Sequence, residues 1–187
     1  MTTRILIAAT VFSTLAGCAA TPPMTMPMFS QAALPDAVMV PAGHAVVMET
    51  VGVGEITYEC KAKVGAGATT MAGEFEWVFV GPKAVLNDRS GKPVGSYFGP
   101  PATWEAADGS RITGTQLAVA PSSPGNIPLQ LVKANPAMGN GAMTGISHIQ
   151  RVATQGGVAP ALPCAAASMG QKQVVPYRAD YIFYRAM

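Results

Sequence analysis

The sequence predicts an all-β domain, built as an antiparallel two-layer sandwich or as a distorted barrel. Runs of apolar, β-branched and aromatic residues recur between clusters of Gly, Pro, Asn and Asp, a pattern typical of short strands joined by turns. Two of these runs alternate between apolar and polar residues, as a strand with one buried face does. Hydrophobic residues make up 49% of the chain, which is enough for a single core.

The individual strands follow from these runs in chain order. The first two have apolar inner faces, formed by Ile56, Tyr58 and Cys60 in Glu55–Cys60 and by Phe75, Trp77 and Phe79 in Glu74–Phe79. Later strands are expected over residues 84–86, 94–98, 110–119, 141–153 and 177–185, with turns at Asn87–Gly91 and Asp108–Gly109. No segment has an amphipathic helical pattern over three turns, although Ile127–Ala134 is compatible with a short helix.

The N-terminus has the features of a bacterial lipoprotein signal peptide, predicted for residues 1–17. Arg4 precedes the apolar stretch Ile5–Leu15, which is too short to cross a bilayer as a helix and suits the core of a signal peptide. The segment Leu15–Cys18 resembles a lipobox, in which small residues admit the backbone to the peptidase and the thiol accepts a diacylglycerol. We expect Cys18 to become the lipid-bearing N-terminus. The alternative is an ordinary secretory leader in which this cysteine is incidental.

The location predicted from this leader is the bacterial cell envelope. Ala19 follows the cysteine where an aspartate could stand, which favours the outer membrane, with the domain facing the periplasm. A lipid anchor attaches a chain without spanning the bilayer, so the membrane is an expected partner. Residues 18–39 are predicted to be a lipidated flexible tether, because their prolines favour extended backbone and no regular period is sustained. The β-rich single domain is then residues 40–187.

Cys60 and Cys164 are the two cysteines left in the mature chain. In an oxidising envelope, two such cysteines are expected to form one disulfide. Closing a loop of roughly 100 residues stabilises a fold by about 4–5 kcal/mol in the chain-entropy model. The alternative is a redox-active or nucleophilic cysteine, although the sequence has no C-x-x-C motif.

Composition and motifs argue against several classes of function. The formal net charge is +2 and there is no polybasic run, so nucleic acid is not an expected partner. There is no G-x-S-x-G elbow, P-loop, H-E-x-x-H motif or dinucleotide fingerprint, so the sequence predicts neither a cofactor nor a standard enzyme. His44 and His148 are the two histidines, and neither has a neighbour at a metal-ligand spacing.

Five short segments form a recognisable set: Gly95–Pro100, Thr103–Glu105, Asp108–Ser110, Ile149–Arg151 and Val175–Tyr181. Together they resemble a family of secreted bacterial and fungal proteins of unknown function, catalogued as DUF3455, over residues 40–185. The resemblance implies a secreted, β-rich single domain whose two cysteines are paired, and it implies no particular activity. Relatives often carry a histidine where Tyr97 stands, so the resemblance argues against a catalytic or metal-binding role at that position.

The predicted ligand-binding residues are Tyr97, Phe98, Trp104, Glu105, His148, Arg151 and Tyr181. The first four combine aromatic rings with a carboxylate in a Gly- and Pro-rich segment, which suits an exposed loop or cleft. We expect the last three, which lie on later strands, to meet that segment in the fold. The alternative is that Trp104 packs into the core and that Asp108 serves only the turn before Gly109.

The leading function is therefore non-enzymatic, namely the binding of a small molecule, a glycan or an envelope protein. A hydrolase of the envelope that acts on a glycan or small molecule is the first alternative, with Glu105 or Asp108 in catalysis, or with His148 as the base.

Copper binding through the tether is the second alternative. Met24, Met26 and Met28 alternate, so an extended chain would present three thioethers on one side, and thioethers suit Cu(I). The competing interpretation of these methionines is a low-complexity linker.

Overall fold

The computed structural model describes residues 29–64 and 70–187 of the chain. Its regular structure in these ranges consists of β-strands and two short 3-10 helices, Asp36–Val38 and Ala166–Ser168. The strands are β1 (His44–Val64), β2 (Thr70–Asn87), β3 (Pro93–Phe98), β4 (Thr103–Ala106), β5 (Arg111–Ala120), β6 (Leu129–Ala134), β7 (Ile146–Gly156) and β8 (Lys172–Ala186). Neither helix in the described ranges has the length and apolar character that crossing a bilayer requires.

The strands form a closed antiparallel barrel. Each strand pairs with the next along the chain, and β1 also pairs with β8, so the order around the barrel is the order in the sequence. The predicted all-β antiparallel fold is confirmed, in its barrel form. We call the end at which the odd-numbered strands finish the upper end, and the opposite end the lower end.

Strand β6 shows that a helix over Ile127–Ala134 was a wrong expectation. The strand hydrogen-bonds to β5 on one side and to β7 on the other. Its Val132 packs inside the barrel, whereas its Leu131 packs in an apolar cluster outside. Because both faces bury apolar side chains, the alternation of a half-exposed strand is lost, and a short apolar run is then ambiguous between strand and helix.

Apolar side chains fill the lower half of the barrel. Leu86 near the end of β2, Ile112 at the start of β5, and Phe183 near the end of β8 are each at most 1% exposed. They belong to one cluster inside the barrel, together with Ile146 and Ile149 of β7. Interiors packed in this way leave few voids, so the lower half acts as the structural core.

A second apolar cluster lies outside the barrel, beneath residues 29–40. Val38 and Val40 pack there against Leu131 and Ile182. The amide of Gln150 is completely buried under the same segment, and its Nε2 donates to the carbonyl oxygen of Val38 at 2.6 Å. Apolar burial and a buried amide together hold the segment against the barrel wall.

Residues 29–39, the described part of the predicted tether, pack against the outside of the barrel wall. The segment lacks a regular period because it is irregular chain, held by a few side chains and not by a strand or helix ladder. The side chain of Gln31 also exchanges two hydrogen bonds with the backbone of Val40, at 2.8 and 2.9 Å. The predicted signal peptide, the predicted lipidation site Cys18 and the three alternating methionines lie outside the described residues.

The predicted disulfide between Cys60 and Cys164 is confirmed. The two Cα atoms are 5.5 Å apart, and the residues are separated by 104 positions in the sequence. The bond joins β1 to the long loop between β7 and β8, and the indole Nε1 of Trp77 donates to the carbonyl oxygen of Leu162 in that loop at 2.8 Å. The loop is therefore fastened to the upper end of the barrel.

Candidate functional site in the upper half of the barrel

The upper half of the barrel contains a cavity of about 350 Å³. Its lining comes from β1 to β7 and from the loops beside them: Ile56, Tyr58, Phe79, Tyr97, Ala102, Trp104, Gly114, Gln116, Ile127, Pro128, Gln130, Val132 and Arg151. Phe79 stands at the mouth and is 52% exposed, so the cavity opens to solvent. Small barrels either fill the interior with side chains or keep room for one small ligand. In this barrel side chains fill the lower half, and the upper half keeps room for a ligand.

Polar side chains point into this cavity at three inward positions. Gln116 and Gln130 share one hydrogen bond, from Nε2 of Gln130 to Oε1 of Gln116 at 2.6 Å. Arg151 lies two residues beyond Ile149 on β7, and strand alternation gives both the same inward face. Polar groups inside a barrel are unfavourable in a dry core and are typical of a solvated binding cavity.

Aromatic rings form the lower wall of the cavity. Tyr97 and Trp104 are directly paired across β3 and β4, and their rings stack with centroids 4.8 Å apart. The ring of Tyr181 packs edge-on against Trp104, with a centroid distance of 5.8 Å. Position 52 must be glycine for this packing, because a Cβ there would lie 2.6 Å from Cε2 of Tyr181. The wall is therefore rigid and is built from several strands.

The indole nitrogen of Trp104 is buried without a partner. The side chain is 1% exposed, and its Nε1 has no hydrogen-bond acceptor in the described structure. A buried donor left in this way costs roughly 1–3 kcal/mol, and most such donors in proteins are paired. The Trp104 ring lines the cavity, but this nitrogen lies out of the reach of solvent, so the unpaired donor is a local cost to the stability of the fold.

Three tyrosine hydroxyls line or underlie the cavity in the protonated form. Burial raises the pKa of Tyr97 and of Tyr181, and it also raises the pKa of Tyr177. The hydroxyls of Tyr177 and Tyr181 lie 3.3 Å apart and share one hydrogen bond. These phenols stay neutral near pH 7, so they offer O–H groups and no negative charge.

Arg151 is the cation of the cavity. Its Nε and Nη2 donate to the carbonyl oxygen of Pro128, at 3.2 and 3.0 Å. Within residues 29–64 and 70–187, no carboxylate oxygen lies within 4 Å of its guanidinium nitrogens, and the cavity lining contains neither Asp nor Glu. The positive charge therefore faces the cavity without a counterion from the described chain.

The structure brings together four of the seven predicted site residues. Tyr97, Trp104 and Arg151 line the cavity, and Tyr181 lies directly beneath them. The burial of Trp104 agrees with the competing expectation that this ring packs inside, although it forms a cavity wall as well as core. The predicted exposed surface from Tyr97 to Glu105 is therefore split between the two faces of the barrel wall.

The other three predicted residues lie outside the cavity. Phe98 is 38% exposed and borders a shallow outer groove of about 710 Å³ with Val53 and Val85. Glu105 is ion-paired with Arg111, with Oε2 and Nε 3.3 Å apart. This groove is larger than the cavity, but it is a surface depression and holds no buried unpaired donor within the described part.

His148 also lies apart from the cavity. Its ring packs edge-on against that of His44, with centroids 4.6 Å apart. Burial lowers the pKa of His148, and the nearby His44 and Lys133 lower it further. Strand alternation explains the position, because His148 is an odd number of residues from the inward-facing Ile149 and Arg151.

Asp108 serves a loop at the lower end. Its Oδ1 accepts hydrogen bonds from the backbone N and the Oγ of Ser110, at 2.9 and 2.6 Å, and its Oδ2 accepts from the N of Ala142 at 2.7 Å. The hydrogen bonds from Ser110 and Ala142 lower the pKa of Asp108. Neither Asp108 nor Glu105 reaches the cavity, so the two carboxylates that a hydrolase would need do not converge there.

Sequence reasoning missed several cavity residues. Gln116, Gln130 and Phe79 line the space, and the first two are polar side chains that composition alone places on a surface. Their inward position depends on the register of β5 against β6, which includes a bulge between Gln116 and Ala118. Over the described ranges, no group of three or more His, Cys, Asp or Glu side chains is arranged to hold a metal ion.

Comparison with known proteins places the chain in a family. The family model described as "Protein of unknown function (DUF3455)" matches residues 41–185, which is more than three quarters of the chain. Neither the curated proteins nor the solved structures give a significant match. The matched range covers strands β1 to β7, all of β8 except its last residue, and both cysteines of the disulfide. The chain therefore belongs to the DUF3455 family of proteins of unknown function.

Proposed function

We propose that this protein is a non-enzymatic binding protein whose upper barrel cavity holds one small, ring-containing molecule. The observation that carries the proposal is a solvent-open cavity of about 350 Å³ whose lining combines aromatic rings with Arg151, a cation that has no carboxylate partner within the described residues. Apolar and aromatic walls with a few polar groups are typical of small-molecule sites.

The cavity's size and lining support the same ligand class. A volume of about 350 Å³ is near the lower end of the roughly 300–1,000 Å³ range of small-molecule sites. Tyr58, Phe79 and Trp104 offer ring faces and edges, and aromatic pairs contribute about 0.5–1.5 kcal/mol beyond the burial of area. A flat, mostly apolar body with one or two polar atoms fits these walls.

The same site gives little support to hydrolysis. The lining has amide, guanidinium and phenol groups, but the lining residues include no carboxylate, histidine or cysteine. The neutral phenols are poor general bases near pH 7, because burial holds their pKa above the ordinary range. The lining thus favours binding without turnover.

We further propose that the protein works in the bacterial cell envelope, held at the outer membrane by lipid on Cys18. The support is the leader of residues 1–17 and the lipobox-like segment that follows it. The disulfide between Cys60 and Cys164 is consistent with an oxidising compartment. An exported binding protein in this position meets ligands before they reach the inner membrane.

A fluorescence titration of the full chain tests the binding proposal. The chain carries Cys18→Ala, which prevents lipidation, and Trp77→Phe, which leaves Trp104 as the single tryptophan. The probe is 1-anilinonaphthalene-8-sulfonate, a ring-containing molecule whose emission rises in apolar sites. We expect saturable binding at one site, with energy transfer from Trp104 to the bound probe.

Ala102→Phe supplies the blocking variant, because Ala102 lines the cavity and a phenyl ring there occupies it. We expect this substitution to abolish the saturable signal. Ala107→Phe is the matched control, since Ala107 is exposed in the loop after β4. Equal probe binding by the blocked variant and the control would show that the probe does not occupy the cavity, and the proposal would then fail.

A further inference from the structure

The guanidinium of Arg151 has a specific pair of donors left for a ligand. The Nε and Nη2 atoms, which form one side edge of the planar group, both donate hydrogen bonds to the carbonyl oxygen of Pro128. An arginine has five N–H donors, so the end-on pair made by Nη1 and the second hydrogen of Nη2 remains. Within the described part of the chain, Nη1 makes no hydrogen bond.

This end-on pair has the geometry that recognises a planar anion. Two parallel N–H groups match the two oxygens of a carboxylate, and charge-assisted bonds of this kind are roughly twice as strong as neutral ones. The Pro128 carbonyl fixes the plane of the guanidinium, so less side-chain freedom is lost when a ligand binds. The guanidinium of Arg151 is therefore preorganised to bind the two oxygens of a carboxylate.

The described chain supplies no negative charge to this group. Neither Asp nor Glu lines the cavity, and the phenols of Tyr58 and Tyr97 are neutral because burial raises their pKa. Arg151 is partly buried, so its charge is only partly screened by water. The described chain therefore leaves the charge of Arg151 free to pair with an anion that enters the cavity.

We infer that the ligand is an aromatic carboxylate, with its carboxylate on the end-on edge of Arg151 and its ring body against Trp104. This inference rests on the proposed function, since it names the ligand class of the same cavity. Trp104 and Arg151 both line a single space of about 350 Å³, so one small molecule contacts both. Arg151 requires the carboxylate of such a ligand, and the aromatic wall of Tyr97 and Trp104 favours a ring.

Three matched probes test the inference by isothermal titration of the full chain carrying Cys18→Ala. The probes are 2-naphthoate, its neutral amide 2-naphthamide, and decanoate, which has the charge without the ring. We expect 2-naphthoate to bind on the order of tenfold more tightly than the amide, as a charge-assisted hydrogen bond gives. Decanoate should bind more weakly than 2-naphthoate, because it cannot stack on the aromatic wall.

Arg151→Gln should remove the preference for 2-naphthoate over 2-naphthamide and leave the binding of the amide in place. Arg178→Gln is the matched control, because Arg178 is exposed on the outer wall, and it should keep the preference. Arg151→Lys keeps the charge without the two-pronged edge and should keep only part of the preference. Unfolding curves in urea confirm that each variant is folded.

The outcomes separate this inference from the proposed function. Equal affinity for 2-naphthoate and 2-naphthamide, or an unchanged preference in Arg151→Gln, would overturn the carboxylate assignment and leave the binding cavity standing. Decanoate binding as tightly as 2-naphthoate would overturn the aromatic part and point to a fatty acid from the membrane. Failure of every probe, including anilinonaphthalene sulfonate, would overturn both proposals.

Discussion

Replacing Trp104 with phenylalanine separates the cost of the unpaired indole N–H from the packing of the ring. The variant removes Nε1 but keeps an aromatic ring that can stack on Tyr97, whose centroid lies 4.8 Å from that of Trp104. Loss of two ring carbons, at about 0.8 kcal/mol each, destabilises the fold by about 1.6 kcal/mol. Removal of a buried unpaired donor returns about 1–3 kcal/mol.

The two effects nearly cancel, so we expect the free energy of unfolding of Trp104→Phe to stay within about 1 kcal/mol of the parent. Affinity for a ring ligand should change by less than about twofold, because the indole nitrogen lies out of the reach of solvent and donates no hydrogen bond to a molecule in the cavity. Urea unfolding followed by circular dichroism measures the first quantity, and isothermal titration measures the second.

Trp77→Phe is the control, because the Nε1 of Trp77 donates to the carbonyl oxygen of Leu162 and Trp77 does not line the cavity. It should leave ligand affinity unchanged. A loss of more than about 3 kcal/mol of stability in Trp104→Phe would mean that the indole nitrogen is paired in the folded protein, and the reasoning from a buried unpaired donor would then be refuted.

Three further predictions concern stability. Replacing Cys60 and Cys164 by alanine removes a cross-link between residues 104 positions apart in the sequence. Urea unfolding should then show a free energy of unfolding lower by about 4–5 kcal/mol. Gln150→Ala leaves the buried hydroxyl of Tyr184, which donates to Oε1 of Gln150 at 2.6 Å, without its acceptor, and should hasten proteolysis within residues 29–40. Asp108 has a lowered pKa in the fold, so its stabilising effect is present above the ordinary aspartate pKa of about 3.9 and is lost as pH falls through the lower folded value. The difference in melting temperature between the parent and Asp108→Asn should therefore disappear in acid.

Each of these predictions has a comparison that can contradict it. Reduced parent protein should match the double alanine variant, and equal stability of the oxidised and reduced forms would mean that the cross-link does not constrain the unfolded chain. Gln155→Ala changes a glutamine that is exposed on β7 and should leave the proteolysis of residues 29–40 unchanged. A melting-temperature difference between parent and Asp108→Asn that persists below pH 2 would mean that the carboxylate charge is not the stabilising feature.

The sequence predicted the strands best where one face of the strand is exposed to solvent and the other face is buried. The inward set Ile56, Tyr58 and Cys60 is buried as its alternation predicts. Phe79 follows the same alternation but is half exposed, because it stands at the mouth of a cavity that local pattern does not reveal. Alternation gives the direction of a side chain and not the depth of the space it faces.

The site was predicted less well because nearness in sequence was taken as nearness in space. Tyr97 and Trp104 point into the barrel, whereas their neighbours Phe98 and Glu105 point out of it. A one-residue step along a strand reverses the side chain, so a continuous segment cannot form one face. The contribution of Arg151 depends on the closure of β7 and β8 onto β1, which is a long-range pairing that local sequence does not encode.

The contact between Phe29 and the barrel keeps the outer segment away from the mouth of the cavity. The backbone N of Phe29 donates to Glu49, and Glu49 is ion-paired with Arg89 in the turn that joins β2 to β3 at the lower end. None of residues 29–40 lines the cavity, which opens at the upper end. The segment therefore covers part of the outer wall and leaves the entrance free, so a small molecule can enter without displacing it.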